Sequence, residues 1–217
     1  LSAALVALET SRRIPSLAVA RGDRVLFESL QGERRHASDL LPRLEELLDR
    51  LGVTRAGGRL PLERIVVGTG PGSYTGLRIG LALARGLARA TGARLAGIPS
   101  FEALALVALS PGETGAVVLD ARSERTYHGR YRRTAEDVEV CTPPEAIDLE
   151  TLRERLREDG PVVGPSELAE RAGVAPDRLR PELVPDARAL LELARHRPDA
   201  SGPPTPLYLR PFGSTAR

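Results

Sequence analysis

The feature that most restricts this chain is the run "VVGTGPGSYTGLRIGLALARGLARATG" at residues 66–92. A short apolar segment, Ile65, Val66 and Val67, passes through a glycine-rich turn into a helix-like pattern. In that pattern Gly76, Gly80, Ala84, Ala88 and Gly92 recur every four residues, so one face carries no bulky side chain. A glycine inside a helix costs about 1 kcal/mol relative to alanine, so Gly76, Gly80 and Gly86 need a packing reason. The bare face admits the close approach of the chain's own strand or helix, or of a helix from another chain.

The turn invites a phosphate-binding reading that the residues do not support. A Walker-type loop requires a Lys, and the sequence has none. Neither glycine frame fits the dinucleotide fingerprint: Gly68 and Gly70 lead to Ser73 at the third glycine place, Gly70 and Gly72 to Thr75. A nucleophile elbow at Ser73 would need Gly where Pro71 stands. Plain turn chemistry remains. Pro71 fixes φ, Gly70 and Gly72 supply positive φ, and Ser73 or Thr75 caps the helix. An anion on the free N–H groups at that helix start is the weaker alternative.

Around this run the chain reads β-β-β-α-β-α. Residues 3–8 form a strand, and Gly22-Asp23 separates two further strand-like pieces as a two-residue hairpin would. Leu40, Leu41, Leu44, Leu47, Leu48 and Leu51 then follow helical spacing, with Ser38 or Asp39 as N-cap and Gly52 as the stop. Pro42 is tolerable near the first turn. After "ARLAGIP" and an apolar helix at 101–109, "SPGETG" is the first convincing break. The next segment, "AVVLDARSERTYHGRYRR", repeats the opening plan, with Asp120 ending its strand where Glu9 ends the first. Two lobes follow, 1–101 and 102–217, with the last segment returning to the first lobe. The Pro- and Arg/Glu-rich remainder holds helical pieces near 151–158 and 187–195, and the tail has too many prolines for a regular element.

Composition narrows the function classes. A net charge of +2 without a long basic run gives no concentrated surface for independent nucleic-acid binding. The single Cys141 forms no internal disulfide, and no apolar run reaches the roughly 20 residues that span a bilayer, so a reducing cytoplasm is expected, with no membrane association. The opening "LSAALVAL" lacks the basic start and cleavage site of a signal peptide and reads as a buried strand. His36, His128 and His196 lie far apart without metal-ligand spacing, so surface or capping roles are expected and no metal site. Cys141 reads as an ordinary buried or half-exposed thiol. Arg125, Arg130, Arg132 and Arg133 gather on a hairpin, where a solvated face is the commoner explanation and a contact with nucleic-acid phosphates the alternative.

The stretch "GTGPGSYTGLRIGLALARGLA" closely resembles the signature of the TsaB family, also called YeaZ, the smaller actin-like subunit of the bacterial machinery that makes threonylcarbamoyladenosine in tRNA. "LVALETS", "RRHASDLLPRLEELL", "GIPSFEALA", "VVLDARSERTYHGRY" and "PLYLR" fall in that family's order, so the resemblance covers nearly the whole chain. It implies an α/β fold of the two-lobed actin-like ATPase class (ASKHA, ribonuclease H-like), with mixed sheets flanked by helices. It also implies a non-catalytic dimerization or scaffold subunit. Such a subunit pairs with a paralogous metal-holding transferase, TsaD, and works with an ATPase, TsaE, meeting tRNA only through the complex.

In that family two helices of the first lobe pack against the equivalent pair of the paralogue. Here they correspond to 38–51 and 76–91, which makes Leu40, Leu44, Leu47, Leu48, Gly76, Leu77, Gly80, Leu81, Ala84 and Leu87 the expected interface. An exposed apolar groove also leads to the expectation of a homodimer when the chain is alone. Glu9, Thr10, Ser11 and Asp120 mark a vestigial nucleotide site. The family usually has Asp where Glu9 stands, and Asp120 is followed by "ARSER" without paired glycines, so ATP or ADP binding is weak and no cofactor is required. The alternatives are an ATP-dependent enzyme of the same fold, or a metal-dependent peptidase acting alone.

Overall fold

Ala4, Val6 and Leu8 alternate with Leu5, Ala7 and Glu9 along β1 (Ala4–Glu9), and all but Leu5 are buried, as a strand covered on both faces requires. β1 pairs antiparallel with β2 (Ser16–Arg21), and β2 with β3 (Arg24–Ser29) through a two-residue turn in which Gly22 has φ +58°. β4 (Leu62–Gly68) and β5 (Arg94–Ile98) continue on the other side of β1 in parallel, giving the order β3-β2-β1-β4-β5. The computed structural model describes residues 3–30, 37–55, 57–121, 124–181, 186–198 and 202–209.

Two helices share one face of this sheet. The buried side of α1 (Leu40–Arg50), Leu40, Leu44, Leu47 and Leu48, joins Leu81, Ala84 and Leu87 of α2 (Tyr74–Thr91) against Val6, Leu8, Val19, Ile65 and Val67. Each Leu buried there contributes roughly 1.5–3 kcal/mol. The intervening strand residues face α6 (Ala187–His196), whose Leu190, Leu191 and Leu193 are buried on β1, β2 and β4.

The helix ends show how a chain without Lys closes its termini. Asp39 holds the N-cap position of α1 without a side-chain cap bond, so neither Ser38 nor Asp39 caps as expected; the helix enters instead from a 3₁₀ turn at Ala37–Asp39. At the other end the Arg21 guanidinium donates to the carbonyls of Leu51 at 3.1 Å and Gly52 at 2.7 Å. The buried Arg64 does the same for α6, donating to the carbonyls of Ala194 and Arg197. The planar fork of Arg suits such paired acceptors.

The second sheet comprises β6 (Thr114–Asp120), β7 (Arg125–Arg133), β8 (Val138–Asp148), β9 (Val162–Gly164) and β10 (Leu179–Pro181). Its order is β10-β9-β6-β7-β8, with β6-β7-β8 antiparallel and β6-β9-β10 parallel. Counted from its own first strand this is 3-2-1-4-5, the order of the first sheet. The duplication anticipated from the repeated strand-hairpin pattern is therefore a duplication of topology, and the fold is the expected α/β one, with two mixed sheets flanked by helices. α3 (Ser100–Ala108), α4 (Leu149–Arg155) and α5 (Ser166–Arg171) complete the set.

The chain divides into a unit of Leu1–Ser100 with Pro185–Pro206, and a unit of Phe101–Val184 with Leu207–Arg217. Periodicity missed α5, β9 and β10 because three-residue strands and a six-residue helix are too short to show it. It also read Cys141 as lying at a strand end beside the prolines. β8 instead runs through Pro143 and Pro144, which fall in a break of the ladder between His128↔Glu145 and Arg130↔Thr142, so neither proline needs to donate to β7.

Candidate partner-binding face and the buried Glu9 cluster

The glycine-rich turn does what its chemistry suggests, with one change. Ser73 is the N-cap of α2 and accepts from the Gly76 N–H at 3.2 Å, and Gly92 closes the helix at φ +75°. Gly70 has φ +95°, but Gly72 does not have positive φ. Gly72 is needed for proximity: a β-carbon there would overlap the Ser11 carbonyl, which accepts from the Ser73 N–H at 2.7 Å.

The same close approach explains the first half of the small-residue strip. The Thr10 hydroxyl donates to the Gly76 carbonyl at 2.8 Å. A β-carbon on Gly76 would overlap the Thr10 carbonyl oxygen, and one on Gly80 would overlap the Thr10 hydroxyl. The strip receives the chain's own segment after β1.

The expected interface residues lie inside the chain. Leu40, Leu44, Leu47, Leu48, Leu77, Gly80, Leu81, Ala84 and Leu87 are all buried within the chain, and Gly76 is half-buried against Thr10. A helical apolar period marks the side that meets the sheet, and that side is already occupied.

What α1 and α2 leave uncovered is the opposite side. On α1, Leu41 is 41% exposed beside exposed Glu45, Glu46 and Asp49. On α2, Arg78, Ala82, Arg85, Gly86, Arg89 and Ala90 are exposed, and a β-carbon on Gly86 would meet nothing within 4 Å. The outer side of α2 is thus basic and thinly clad, and that of α1 carries Glu45, Glu46 and Asp49 together with exposed Arg43 and Arg50. Gly86 was the available signal, since it is the one glycine of the helix that falls outside the four-residue strip.

Glu9, Thr10 and Ser11 come together at the end of β1, each almost wholly buried. The Glu9 Oε1 accepts from the Ser11 N–H at 2.7 Å, while Oε2 has no hydrogen-bond partner and lies where a Gly68 β-carbon would stand. Burial pushes the carboxyl above its ordinary 4.5, against the opposing pull of Ser11, Ser100 and Arg12. Ser100 itself accepts from the Gly70 N–H at 3.1 Å and ties the cluster to the turn. Glu9 is thus enclosed between Gly68, Ser11 and the glycine-rich turn, with one carboxylate oxygen paired and the other unpaired. Asp120, the last residue of β6, holds the equivalent place in the second sheet and is exposed.

The other candidates are accounted for individually. His36 lies outside the described residues. His128 is neither surface nor cap: it is buried, with Nδ1 3.6 Å from Glu145, and burial pushes its pKa below 6.5. His196 lies 3.4 Å from Glu192 one turn earlier. Cys141 is exposed, neither buried nor half-exposed as expected. Arg125 reaches the Ala146 carbonyl, Arg130 the Asp159 carbonyl and Glu158, Arg132 Glu139, and Arg133 the Leu106 carbonyl. No group of three His, Cys, Asp or Glu residues could hold a metal among the described residues, and no helix among them is long and apolar enough to cross a membrane.

The family described as "TsaD: tRNA N6-adenosine threonylcarbamoyltransferase" matches residues 30–176. The Bacillus subtilis (strain 168) protein named "tRNA threonylcarbamoyladenosine biosynthesis protein TsaB" is 30% identical over 161 residues, 73% of this chain and 69% of that protein. The chain belongs to the TsaB (YeaZ) family. The Haemophilus influenzae protein of the same name is also 30% identical, over 66% of each chain. The solved structure "YeaZ from Pseudomonas aeruginosa" superposes with a TM-score of 0.75 at 28% identity, covering 90% of this chain and 92% of that one.

Proposed function

We propose that this chain is a non-catalytic scaffold subunit in the biosynthesis of threonylcarbamoyladenosine in tRNA. On this reading it docks a TsaD-like paralogue through the outer sides of α1 and α2. Membership of the TsaB family supports the pathway. The docking face rests on one observation: a helix pair packed on its own sheet leaves a thinly clad outer side, where Gly86 interrupts α2 without any internal contact that needs it. A helix interior keeps such a glycine at a cost of about 1 kcal/mol, which the close approach of a partner helix would offset.

The buried leucines then act as the foundation of the face, and Leu41, Ala82, Gly86 and Ala90 as its surface. In isolation a second copy takes the partner's place as a homodimer. A TsaE-like ATPase joins the assembled pair, tRNA is met only through the complex, and the setting is cytoplasmic. The subunit needs no nucleotide, consistent with the enclosed Glu9. Neither an ATP-dependent enzyme nor a metal-dependent peptidase acting alone is favoured by any arrangement described above.

The test is co-elution of the purified chain with its TsaD-like paralogue, comparing the native sequence with Ala82→Arg. The substitution should abolish the complex and leave the thermal midpoint unchanged. Undiminished co-elution would place the interface elsewhere.

A further inference from the structure

Beyond α6, which already packs on the first unit, residues 202–206 lie on the same unit as an irregular strap. Pro204 is buried, while Pro203 and Thr205 beside it are exposed. The ring of Pro204 fills a notch floored by Gly97 of β5, where a β-carbon would stand 2.6 Å from the Pro204 Cβ and 2.7 Å from Thr69 Cγ2. The Pro204 carbonyl accepts from Arg85 Nη2 at 2.8 Å. A single proline therefore seats the strap, and a single guanidinium of α2 is held by it.

Arg85 lies beside the thinnest part of that helix. Ala82 stands three residues before it and Gly86 one after, so Arg85 borders the thinnest part of the exposed side. Long helical side chains lie back over the preceding turn, so an untethered Arg85 would sweep across Ala82 and fill the space a partner backbone needs. Tethering also fixes a side chain that would otherwise lose its rotamer freedom on docking.

We propose that the 202–206 strap is a positioning element of the docking face: by holding Arg85 on the Pro204 carbonyl, it keeps α2 bare for a helix of the TsaD-like partner. This rests on the docking reading given above. Arg85 itself is not the contact; it is an obstruction that the strap parks.

The experiment measures the affinity of the full chain for the TsaD-like paralogue. Pro204→Gly, which empties the Gly97 notch, should weaken binding about three- to tenfold, the size of effect of one ordinary hydrogen bond. Gly97→Ala, which fills the notch from the other side, should do the same. Combined with Arg85→Ala, either change should have no further effect and affinity should return to near the native value, an outcome that general loosening of the fold would not give. Unchanged affinity for Pro204→Gly and Gly97→Ala, or weakening that persists without the Arg85 side chain, would overturn the proposal. Ala82→Arg separates this from the parent reading: if it too leaves affinity unchanged, the docking face itself is misassigned.

Discussion

The Thr10 hydroxyl donates to the Gly76 carbonyl at 2.8 Å and stands where a Gly80 β-carbon would be. The glycines of α2 are thereby divided into an inner set that admits the segment after β1 and an outer one, Gly86, that admits nothing within the chain. Gly80→Ala should therefore destabilise the protein by about 1–3 kcal/mol, despite alanine's better helix propensity, because the added methyl must displace Thr10. Urea denaturation of the isolated chain measures this.

Gly86→Ala should act in the opposite direction. With open space around its β-carbon, the methyl costs nothing in packing and removes the helix-interior penalty of glycine, raising stability by up to about 1 kcal/mol. A higher thermal midpoint together with weaker capture of the paralogue is the expected pair of results.

Leu44 and Leu41 separate foundation from surface on α1. Leu44 is wholly buried, so Leu44→Ala should cost about 2–5 kcal/mol. Leu41 is 41% exposed, so Leu41→Glu should leave the denaturation midpoint nearly unchanged and weaken pairing. Comparison of midpoints and co-elution for the two variants checks both halves.

Glu9 gives a pH signature. Its folded pKa is raised above 4.5 by burial, so its contribution to stability is fully present below that value and is lost as pH rises through the folded pKa. Glu9→Gln removes this dependence. The variant should gain on the native protein as pH climbs from about 5 to about 8, measured as the difference in urea midpoint at each pH. A difference that stays constant across that range would show that Glu9 ionises freely in the folded state.

Much of the scaffold was legible because its signals are long. The leucine period of α1, the Gly22-Asp23 hairpin and the repeat of the opening plan at 116–133 each extend over several residues, and each identifies its element. The burial of the expected interface residues was not legible because one period serves two meanings: Leu40, Leu44, Leu47 and Leu48 mark an apolar side without saying what meets it. Only three-dimensional placement shows that the sheet already does. The Glu9 enclosure was likewise hidden, since it depends on Gly68 and Ser100, brought beside β1 from 59 and 91 positions further along the chain. His128 was misread for a related reason: a buried position on β7 follows from pairing with β6 and β8, and β8 was obscured by its prolines.

The central claim is that this chain is required, without itself catalysing, for threonylcarbamoyl transfer to tRNA. Reconstitution measures it most directly: the TsaD-like paralogue, the TsaE-like ATPase, tRNA and the threonylcarbamoyl donor are combined with and without this chain, and modified adenosine is quantified. The account predicts product only when the chain is present, retained with Glu9→Gln or Asp120→Asn and lost with Ala82→Arg. Equal product in its absence would contradict it.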